Sequence, residues 1–233
     1  MMQELLGNPI FSLPLTLGVY FLAQWLYNRT RLTLLNPLII TLVVLIAIVE
    51  LSGTDYTLYR ESTKMIDFML GPSVVALGYM LHEEVHYIKN RIFSILASTV
   101  VGSAVGIASA AGIIFLMGGD LQLAVTMQPK SVTTPIAMAL SEQSGGIPSL
   151  TAVVVIIAGV VGSMMAPTVF RVLKIESRIA KGLALGTSSH GMGTVTAIQM
   201  GTVEGAISGM AIGLMGAVTA LLVPLFDKLW ALL

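Results

Sequence analysis

The chain has 233 residues, of which 55% are hydrophobic and 10% charged, and its mean hydropathy is +0.90. Soluble domains carry roughly 25% charged residues, so this composition excludes an ordinary soluble domain and predicts an integral membrane protein. The formal net charge is zero and the chain has no cysteine, which gives no reason to expect a nucleic-acid partner and excludes disulfides and thiolate metal sites.

Eight apolar segments follow one another along the chain, joined by short loops apart from a polar stretch at 52–64. Most contain the ~18 to 20 uncharged residues that a membrane-crossing helix needs, and the ~10-residue alternation of a membrane barrel is absent. We predict an all-α polytopic membrane protein with one transmembrane domain, 1–233, in which N-terminal helices occupy 1–91 and a repeat pair occupies 92–233. The segments are 9–27, 33–51, 65–82, 92–117, 121–144, 149–169, 182–203 and 205–229.

The positions of lysine and arginine predict how these segments are oriented, because basic loops stay in the cytoplasm. If all eight segments crossed the membrane, the most basic loop would lie outside. We therefore predict six full crossings, an N-terminus on the outer side, and two re-entrant or broken segments, 121–144 and 182–203, that enter from opposite faces. The residues that carry this prediction are Arg29, Arg31, Lys89, Arg91, Arg171, Lys174, Arg178 and Lys181.

The motif His82-Glu-Glu-Val-His86 matches the H-E-x-x-H pattern of zinc proteases. No third ligand sits in a comparable polar context, and the pattern leads directly into the basic run YIKNR. We interpret it as a polar helix terminus. Since the chain also has no G-x-S-x-G elbow, we expect no enzyme activity, no catalytic residues, no metal and no cofactor.

Lys130 is the only charged residue between Asp120 and Glu142. A lysine at membrane depth costs a few kcal/mol unless it meets a partner, water or a ligand. Pro129 and Pro135 flank it and disfavour a continuous helix, which exposes backbone groups at the break. We predict an anion site here, and the alternative is a lysine that extends to the membrane interface from an ordinary loop. The hydroxyl donors of this site are Ser131, Thr133 and Thr134.

The segment 182–203 contains a second polar run, GTSSHGMGTVTA. Gly191 and Gly193 permit close backbone approach and are expected to break the helix. Ser189 and Thr194 add hydroxyl groups beside them. His190 titrates near neutrality, which suits proton coupling, although a lone histidine in a helix bundle is often only a hydrogen-bonding residue.

The two polar runs align with each other at an offset of sixty residues. The stretches 130–137 and 190–197 match a cationic or protonatable residue, a threonine and an alanine. Interrupted segments at corresponding positions of two halves indicate a transporter site, so we predict an inverted repeat. Glu204, just after the second run, is interpreted as a carboxylate at a helix start.

Stretches across nearly the whole chain resemble the LrgB/CidB family of membrane proteins. The resemblance implies a bacterial inner-membrane protein, in which the predicted outer position of the N-terminus is periplasmic. It also implies one of two functions, because the family is described as antiholin-like and its relatives include the plastidal glycolate/glycerate translocator. The matching stretches are Asn36-Pro37-Leu38, Phe68-Met-Leu-Gly-Pro72, Val75-Ala-Leu77, Pro129-Lys-Ser-Val-Thr-Thr-Pro-Ile-Ala137, Gly145-Gly-Ile-Pro148, Ser189-His-Gly-Met-Gly-Thr194 and Glu204-Gly-Ala206.

The expected function is a secondary transporter or facilitator of small monocarboxylates of the glycolate, glycerate, pyruvate or 3-hydroxypropionate class. The alternative is an antiholin-like protein that modulates murein hydrolase activity and lysis. Expected partners are the carboxylate, a small LrgA/CidA-like membrane protein and further copies of the chain. The expected substrate-binding residues are Lys130, Ser131, Thr133, Thr134, Ser189, His190 and Thr194, with helix breaks at Pro129, Pro135, Gly191 and Gly193.

Overall fold

The computed structural model describes residues 2–30, 35, 37–69, 72, 75, 76, 79, 82, 83 and 89–231. Every regular element within these ranges is a helix, which confirms the predicted all-α class. The chain divides into two compact units, residues 1–74 and residues 75–233.

Among its described residues, the first unit has five helices and a small buried cluster. Leu6, Val49 and Tyr59 are buried together, and the Ser62 hydroxyl donates a hydrogen bond of 2.8 Å to the Leu6 carbonyl. These contacts hold the short helices that contain Leu6 and Tyr59 against each other and against the longer helix that contains Val49. The helices are α1 (Met2–Leu6), α2 (Pro9–Thr30), α3 (Pro37–Leu51), α4 (Tyr56–Ser62) and α5 (Lys64–Phe68).

The polar stretch 52–64, expected to be a loop, is partly helical in the structure. The Asp55 side chain accepts a hydrogen bond of 2.8 Å from the Thr57 amide and caps the N-terminus of α4. A capping aspartate satisfies one of the free amide groups at a helix start, which is why a helix can begin here. In the predicted segment 65–82, residues 70, 71, 73, 74, 77, 78, 80 and 81 lie outside the described residues.

In the part that the structure describes as a continuous segment, 89–231, the second unit has six helices and both predicted interruptions. Three of these helices, α6 (Ile92–Leu116), α9 (Pro148–Val172) and α11 (Thr202–Trp230), run between its two ends. We call the end at which α11 begins the first end, and the end at which it finishes the second end. The helices are α6 (Ile92–Leu116), α7 (Leu121–Met127), α8 (Thr134–Gln143), α9 (Pro148–Val172), α10 (Arg178–Met200) and α11 (Thr202–Trp230).

Packing at each end defines the direction of the long helices. At the first end, Ile95 near the start of α6 is buried with Val203 near the start of α11. At the second end, the ring of Phe115 near the end of α6 lies 5.7 Å from that of Trp230. The helices α6 and α11 are therefore parallel. The helix α9 runs in the opposite direction, since Phe170 near its end packs at the first end with Met200.

The predicted segment 121–144 forms a hairpin at the second end. Its two helices, α7 and α8, are separated by residues 128–133. The side-chain amide of Gln122 donates to the Gly145 carbonyl at 3.4 Å, so the chain returns to where it entered. Ser144 donates a hydrogen bond of 2.6 Å to Asp227 near the end of α11, which fixes the returning arm at this end.

The predicted segment 182–203 forms a second hairpin, within α10. The backbone of His190 is not helical, with φ 41° and ψ −129°. In a straight helix Leu185 and Gly193 would lie about 12 Å apart along the axis. Here a Cβ on Gly193 would collide with the Leu185 carbonyl, so the two arms lie against each other. Both arms meet α11 near its start, where a Cβ on Gly182 would approach the Glu204 carbonyl within 2.5 Å.

The two broken segments thus enter the second unit from opposite ends, as the distribution of basic residues predicts. Among the described residues, four helices, α2, α6, α9 and α11, are long and apolar enough to cross a membrane, and α3 is a shorter apolar helix of 15 residues. The chain is a multi-pass membrane protein. The count of six crossings, the domain bounds and the inverted repeat stay predictions.

We expect Gly193→Ala to lower the free energy of unfolding by about 2 kcal/mol or more, because overpacking against backbone forces the hairpin arms apart. Gly191→Ala is the matched control, since its added Cβ meets nothing within 4 Å. Thermal unfolding in detergent measures both. Equal effects of the two substitutions would contradict the hairpin geometry.

Candidate functional site

The first hairpin presents an unpaired cation at its turn. Lys130 is half-buried, and its amino group donates a single hydrogen bond, of 3.3 Å, to the Ser131 hydroxyl. Within the described part of the chain no carboxylate lies at ion-pair distance from it. A half-buried lysine without a counter-charge is costly at membrane depth, so its position favours an anionic ligand.

Two threonine hydroxyls beside Lys130 have no hydrogen-bond partner among the described residues. Thr133 occupies the N-cap position of α8 without a capping side-chain bond, and Thr134 is the first residue of that helix. Both are half-buried, and among the described residues their hydroxyls make no hydrogen bond. Pro135 fits the first turn of α8, where no amide donor is needed. The hairpin turn therefore combines a free cation, free hydroxyls and a helix N-terminus, all of which suit an anion.

A polar network ties this hairpin to α11. The side chain of Gln128, only 2% exposed, donates to Asp227 Oδ1 at 2.7 Å. Ser144 donates to the other oxygen of Asp227 at 2.6 Å, and Trp230 Nε1 donates to Gln128 Oε1 at 3.1 Å. One carboxylate thus holds the turn and the returning arm of the hairpin. We call Gln128, Ser144, Asp227 and Trp230 the Asp227 network.

A second set of hydroxyls joins the hairpin to the start of α9. The Ile147 amide donates to Thr126 Oγ1 at 2.9 Å, and Thr151 Oγ1 lies 2.7 Å from Ser141 Oγ. Gly146 permits this approach, because a Cβ there would come within 2.5 Å of the Ser141 hydroxyl. The hairpin is therefore held rigidly on two sides, which is how a binding site keeps its geometry.

The Ser131 side chain faces α6 across a narrow crevice. A Cβ on Gly106 would lie 3.7 Å from Ser131 Oγ. Deeper in the crevice Ser103 and Thr219 share a hydrogen bond of 2.8 Å between buried hydroxyls. Polar groups thus extend from the hairpin turn between α6 and α11.

The second hairpin turns at His190, whose side chain is also fixed. His190 Nε2 lies 3.1 Å from the Val155 carbonyl of α9. A carbonyl only accepts, so Nε2 carries the hydrogen and Nδ1 is the position that can take up a second proton. A Cβ on Gly159 would lie 2.6 Å from the imidazole, so α9 needs a glycine to admit it.

The hydroxyls of the second hairpin are engaged within the protein. Thr194, 3% exposed, donates to the His190 carbonyl at 3.0 Å and shares a bond of 2.8 Å with Ser208 of α11. Ser189 is fully buried and bonds to Ser188 at 3.0 Å. A Cβ at Gly191 would meet open space. Of the two glycines predicted to break the helix, only Gly193 therefore lies close to the opposite arm of the hairpin.

The two hairpin turns meet at α9 and α11. Val132 of the first turn is buried with Val155, whose carbonyl bonds to His190, and with Met215, near the middle of α11. The turns therefore approach each other at mid-depth in the second unit. No hydrogen bond within the described residues joins the Lys130 group to the His190 group, so their joint action on one substrate stays a prediction.

The remaining predicted sites show no metal chemistry in the part of the chain that the structure describes. It contains no group of three histidine, cysteine, aspartate or glutamate side chains close enough to hold an ion. Residues 84–86 of the H-E-x-x-H match lie outside the described residues. Glu204 is buried in the first turn of α11, in agreement with its interpretation as a carboxylate at a helix start.

These features define a polytopic membrane protein in which two interrupted segments form hairpins that enter from opposite ends. The chain matches the LrgB-like family over residues 16–229, and it belongs to that family. It is 36% identical to the uncharacterised protein YwbG of Bacillus subtilis, over 92% of this chain and 96% of that protein. It is also 33% identical to the antiholin-like protein LrgB of Bacillus subtilis, over 95% and 96%, and 31% identical to that of Bacillus mycoides, over 94% and 96%. No solved structure matches.

Proposed function

We propose that this protein carries small monocarboxylates of the glycolate, glycerate, pyruvate or 3-hydroxypropionate class across the bacterial inner membrane. The observation that carries the proposal is Lys130, a half-buried cation with no carboxylate partner among the described residues, at the turn of a membrane hairpin. A monocarboxylate supplies the missing negative charge. Its second polar group, a hydroxyl or a keto oxygen, has hydroxyl donors beside it.

Each group at the turn takes one part of the substrate. Lys130 pairs with a carboxylate oxygen, and Ser131, already 3.3 Å from its amino group, donates to the same group. Thr133 and Thr134 bind the remaining oxygen atoms, since their hydroxyls have no other partner among the described residues. A single lysine matches a single negative charge, which favours monocarboxylates over dicarboxylates.

The second hairpin closes the pathway from the opposite side. Ser189, His190 and Thr194 lie at or near its turn, with His190 in a backbone conformation that side chains rarely adopt. Strain of this kind persists at switch positions, which suits a hinge that opens during transport. Protonation of His190 at Nδ1 is the proposed coupling step.

Uptake into proteoliposomes tests the proposal. Purified protein is reconstituted and supplied with labelled glycolate, glycerate, pyruvate or 3-hydroxypropionate, with and without an inward proton gradient. We expect saturable uptake of at least one acid, which the unlabelled acid inhibits and glycerol does not. Non-saturable ion conductance without substrate uptake would contradict transport.

The names of the relatives favour a second function. Two of the relatives above are named antiholin-like protein LrgB, and those names mention no transport. In this function the chain modulates murein hydrolase activity and lysis, together with a small LrgA/CidA-like membrane protein or with further copies of itself. Autolysis rates in a strain lacking the chain test it. If lysis responds equally to wild type and to Lys130→Ala, the regulatory function does not need the carboxylate site.

The proposed orientation places the N-terminus in the periplasm and the loop 171–181 in the cytoplasm. The chain has no cysteine, so single cysteines report sidedness directly. We expect Arg178→Cys to react with an impermeant maleimide only after the membrane is opened, and Gln143→Cys to react in intact spheroplasts. Both residues are exposed. The reverse pattern would invert the topology.

A further inference from the structure

A cleft of about 490 Å³ opens at the first end of the second unit, where α9 ends and α10 begins. Three cations line it, Arg171, Lys174 and Lys181, together with the carboxylates of Glu176 and Glu204 and an apolar wall that includes Phe170. Pockets that hold small ligands have volumes of roughly 300 to 1,000 Å³. The cleft is separate from the turn at Lys130, which does not line it.

The cations of the cleft are free to bind a ligand. Across the ranges that the structure describes, none of the three side chains makes an ion pair or a hydrogen bond. Lys181 is half-buried, whereas Arg171 and Lys174 stand exposed at the opening. Against the carboxylates of Glu176 and Glu204, the three cations leave an excess of positive charge in the cleft, which favours an anionic ligand.

The loop that carries the cations is held in a fixed shape. Lys174 has a positive φ of 53°, at the position after a helix where glycine is usual. The Ile175 amide donates to the Phe170 carbonyl at 2.8 Å and completes this helix end. Two residues further on, Ser177 caps α10 by accepting from the Ala180 amide at 3.3 Å. A lysine therefore occupies a strained position at which glycine would fit without strain, and its side chain lines the cleft.

We propose that this cleft binds a phosphate-bearing anion on the cytoplasmic side. The guanidinium fork of Arg171 matches two phosphate oxygens, while Lys174 and Lys181 act as point charges on the rest. The apolar wall accepts the carbon part of the ligand. Phosphate of this kind comes either from an anionic lipid headgroup, since basic pockets between membrane helices bind such headgroups, or from a soluble organic phosphate.

The carboxylate of Glu204 limits how far the anion enters the cleft. Its side chain is 6% exposed and lines the inner part of the cleft. A buried carboxylate repels an anion that moves further in, so the phosphate stays near the cations at the opening. The proposal thus predicts opposite effects for the loss of a cation and the loss of this carboxylate.

The test measures dissociation constants in neutral detergent for four probes: inorganic phosphate, glycerol 3-phosphate, dihexanoyl phosphatidylglycerol and dihexanoyl phosphatidylcholine. We expect at least one of the first three to bind, and Arg171→Gln with Lys181→Gln to weaken that binding about tenfold or more, because two charge-assisted bonds are lost. Glu204→Gln is expected to tighten it several-fold. Saturation by the soluble phosphates identifies a soluble ligand, and binding of phosphatidylglycerol alone identifies a headgroup.

Matched variants separate this site from its surroundings. Arg178→Gln removes an exposed cation at the start of α10 that does not line the cleft, and it is expected to leave binding unchanged. Lys130→Ala is also expected to leave phosphate binding unchanged. The test of the cleft is therefore independent of the test of transport. Binding that survives the loss of Arg171 and Lys181, or equal binding of phosphatidylcholine, would overturn the proposal. So would binding of short monocarboxylates alone.

Discussion

Replacing Lys130 by alanine is expected to reduce saturable monocarboxylate uptake by about 10- to 100-fold. A hydrogen bond to a charged group contributes roughly 1.5 to 3 kcal/mol, and each ~1.4 kcal/mol is a factor of ten. Lys130→Arg retains the charge and is expected to keep part of the activity. Uptake of labelled acid into proteoliposomes at equal protein density provides the measurement.

Stability separates a binding role for Lys130 from a structural one. Because the lysine is half-buried and bonds only to Ser131 among the described residues, alanine removes a charge that is costly to bury. The variant is therefore expected to unfold at the same temperature as wild type or a higher one. Lys228→Ala, an exposed lysine near the end of α11, is the control for charge and should transport normally. A Lys130→Ala protein that transports normally would remove this lysine from the mechanism.

Replacing Asp227 by alanine is expected to lower the free energy of unfolding by about 3 kcal/mol. The substitution leaves the Gln128 amide and the Ser144 hydroxyl without their shared acceptor, and an unsatisfied buried donor costs about 1 to 3 kcal/mol. Thermal unfolding followed by tryptophan fluorescence measures the loss, because Trp230 belongs to the same network.

A double-mutant cycle tests whether the Asp227 network acts as one unit. Gln128→Ala and Asp227→Ala remove the two sides of one bond of 2.7 Å, so their effects should be less than additive by about 1 kcal/mol. Lys228→Ala, at the neighbouring position, should leave the unfolding temperature unchanged. Additive effects of Gln128→Ala and Asp227→Ala would show that the bond does not hold the hairpin.

Much of the fold could be predicted because the membrane restricts the choices. An uncharged run long enough to cross is a helix, and basic loops on one side require that 121–144 and 182–203 turn back. Pro129 and Pro135 marked the first turn, since proline interrupts a helix by its own chemistry. The helix α4 was missed although Asp55, two residues before Thr57, carries a capping signal.

The partners of the site could not be predicted, because they lie far apart in the chain. Asp227 is separated from Gln128 by 99 residues and from Ser144 by 83, and nothing local in 205–229 indicates either contact. The turn at His190 was expected from its neighbouring glycines, yet the backbone change falls on the histidine itself. The position of the turn at His190 is explained by the contacts of its imidazole with Val155 and Gly159, which are distant in sequence.

The account depends most on a carboxylate occupying the turn of the first hairpin. A single cysteine at position 131, Ser131→Cys in this cysteine-free chain, measures that occupancy through its rate of reaction with a small thiol reagent. We predict that a transported monocarboxylate slows the reaction in a saturable manner, that neutral glycerol does not, and that Lys130→Ala abolishes the protection. A reaction rate that none of the four acids changes would contradict a carboxylate site at Lys130.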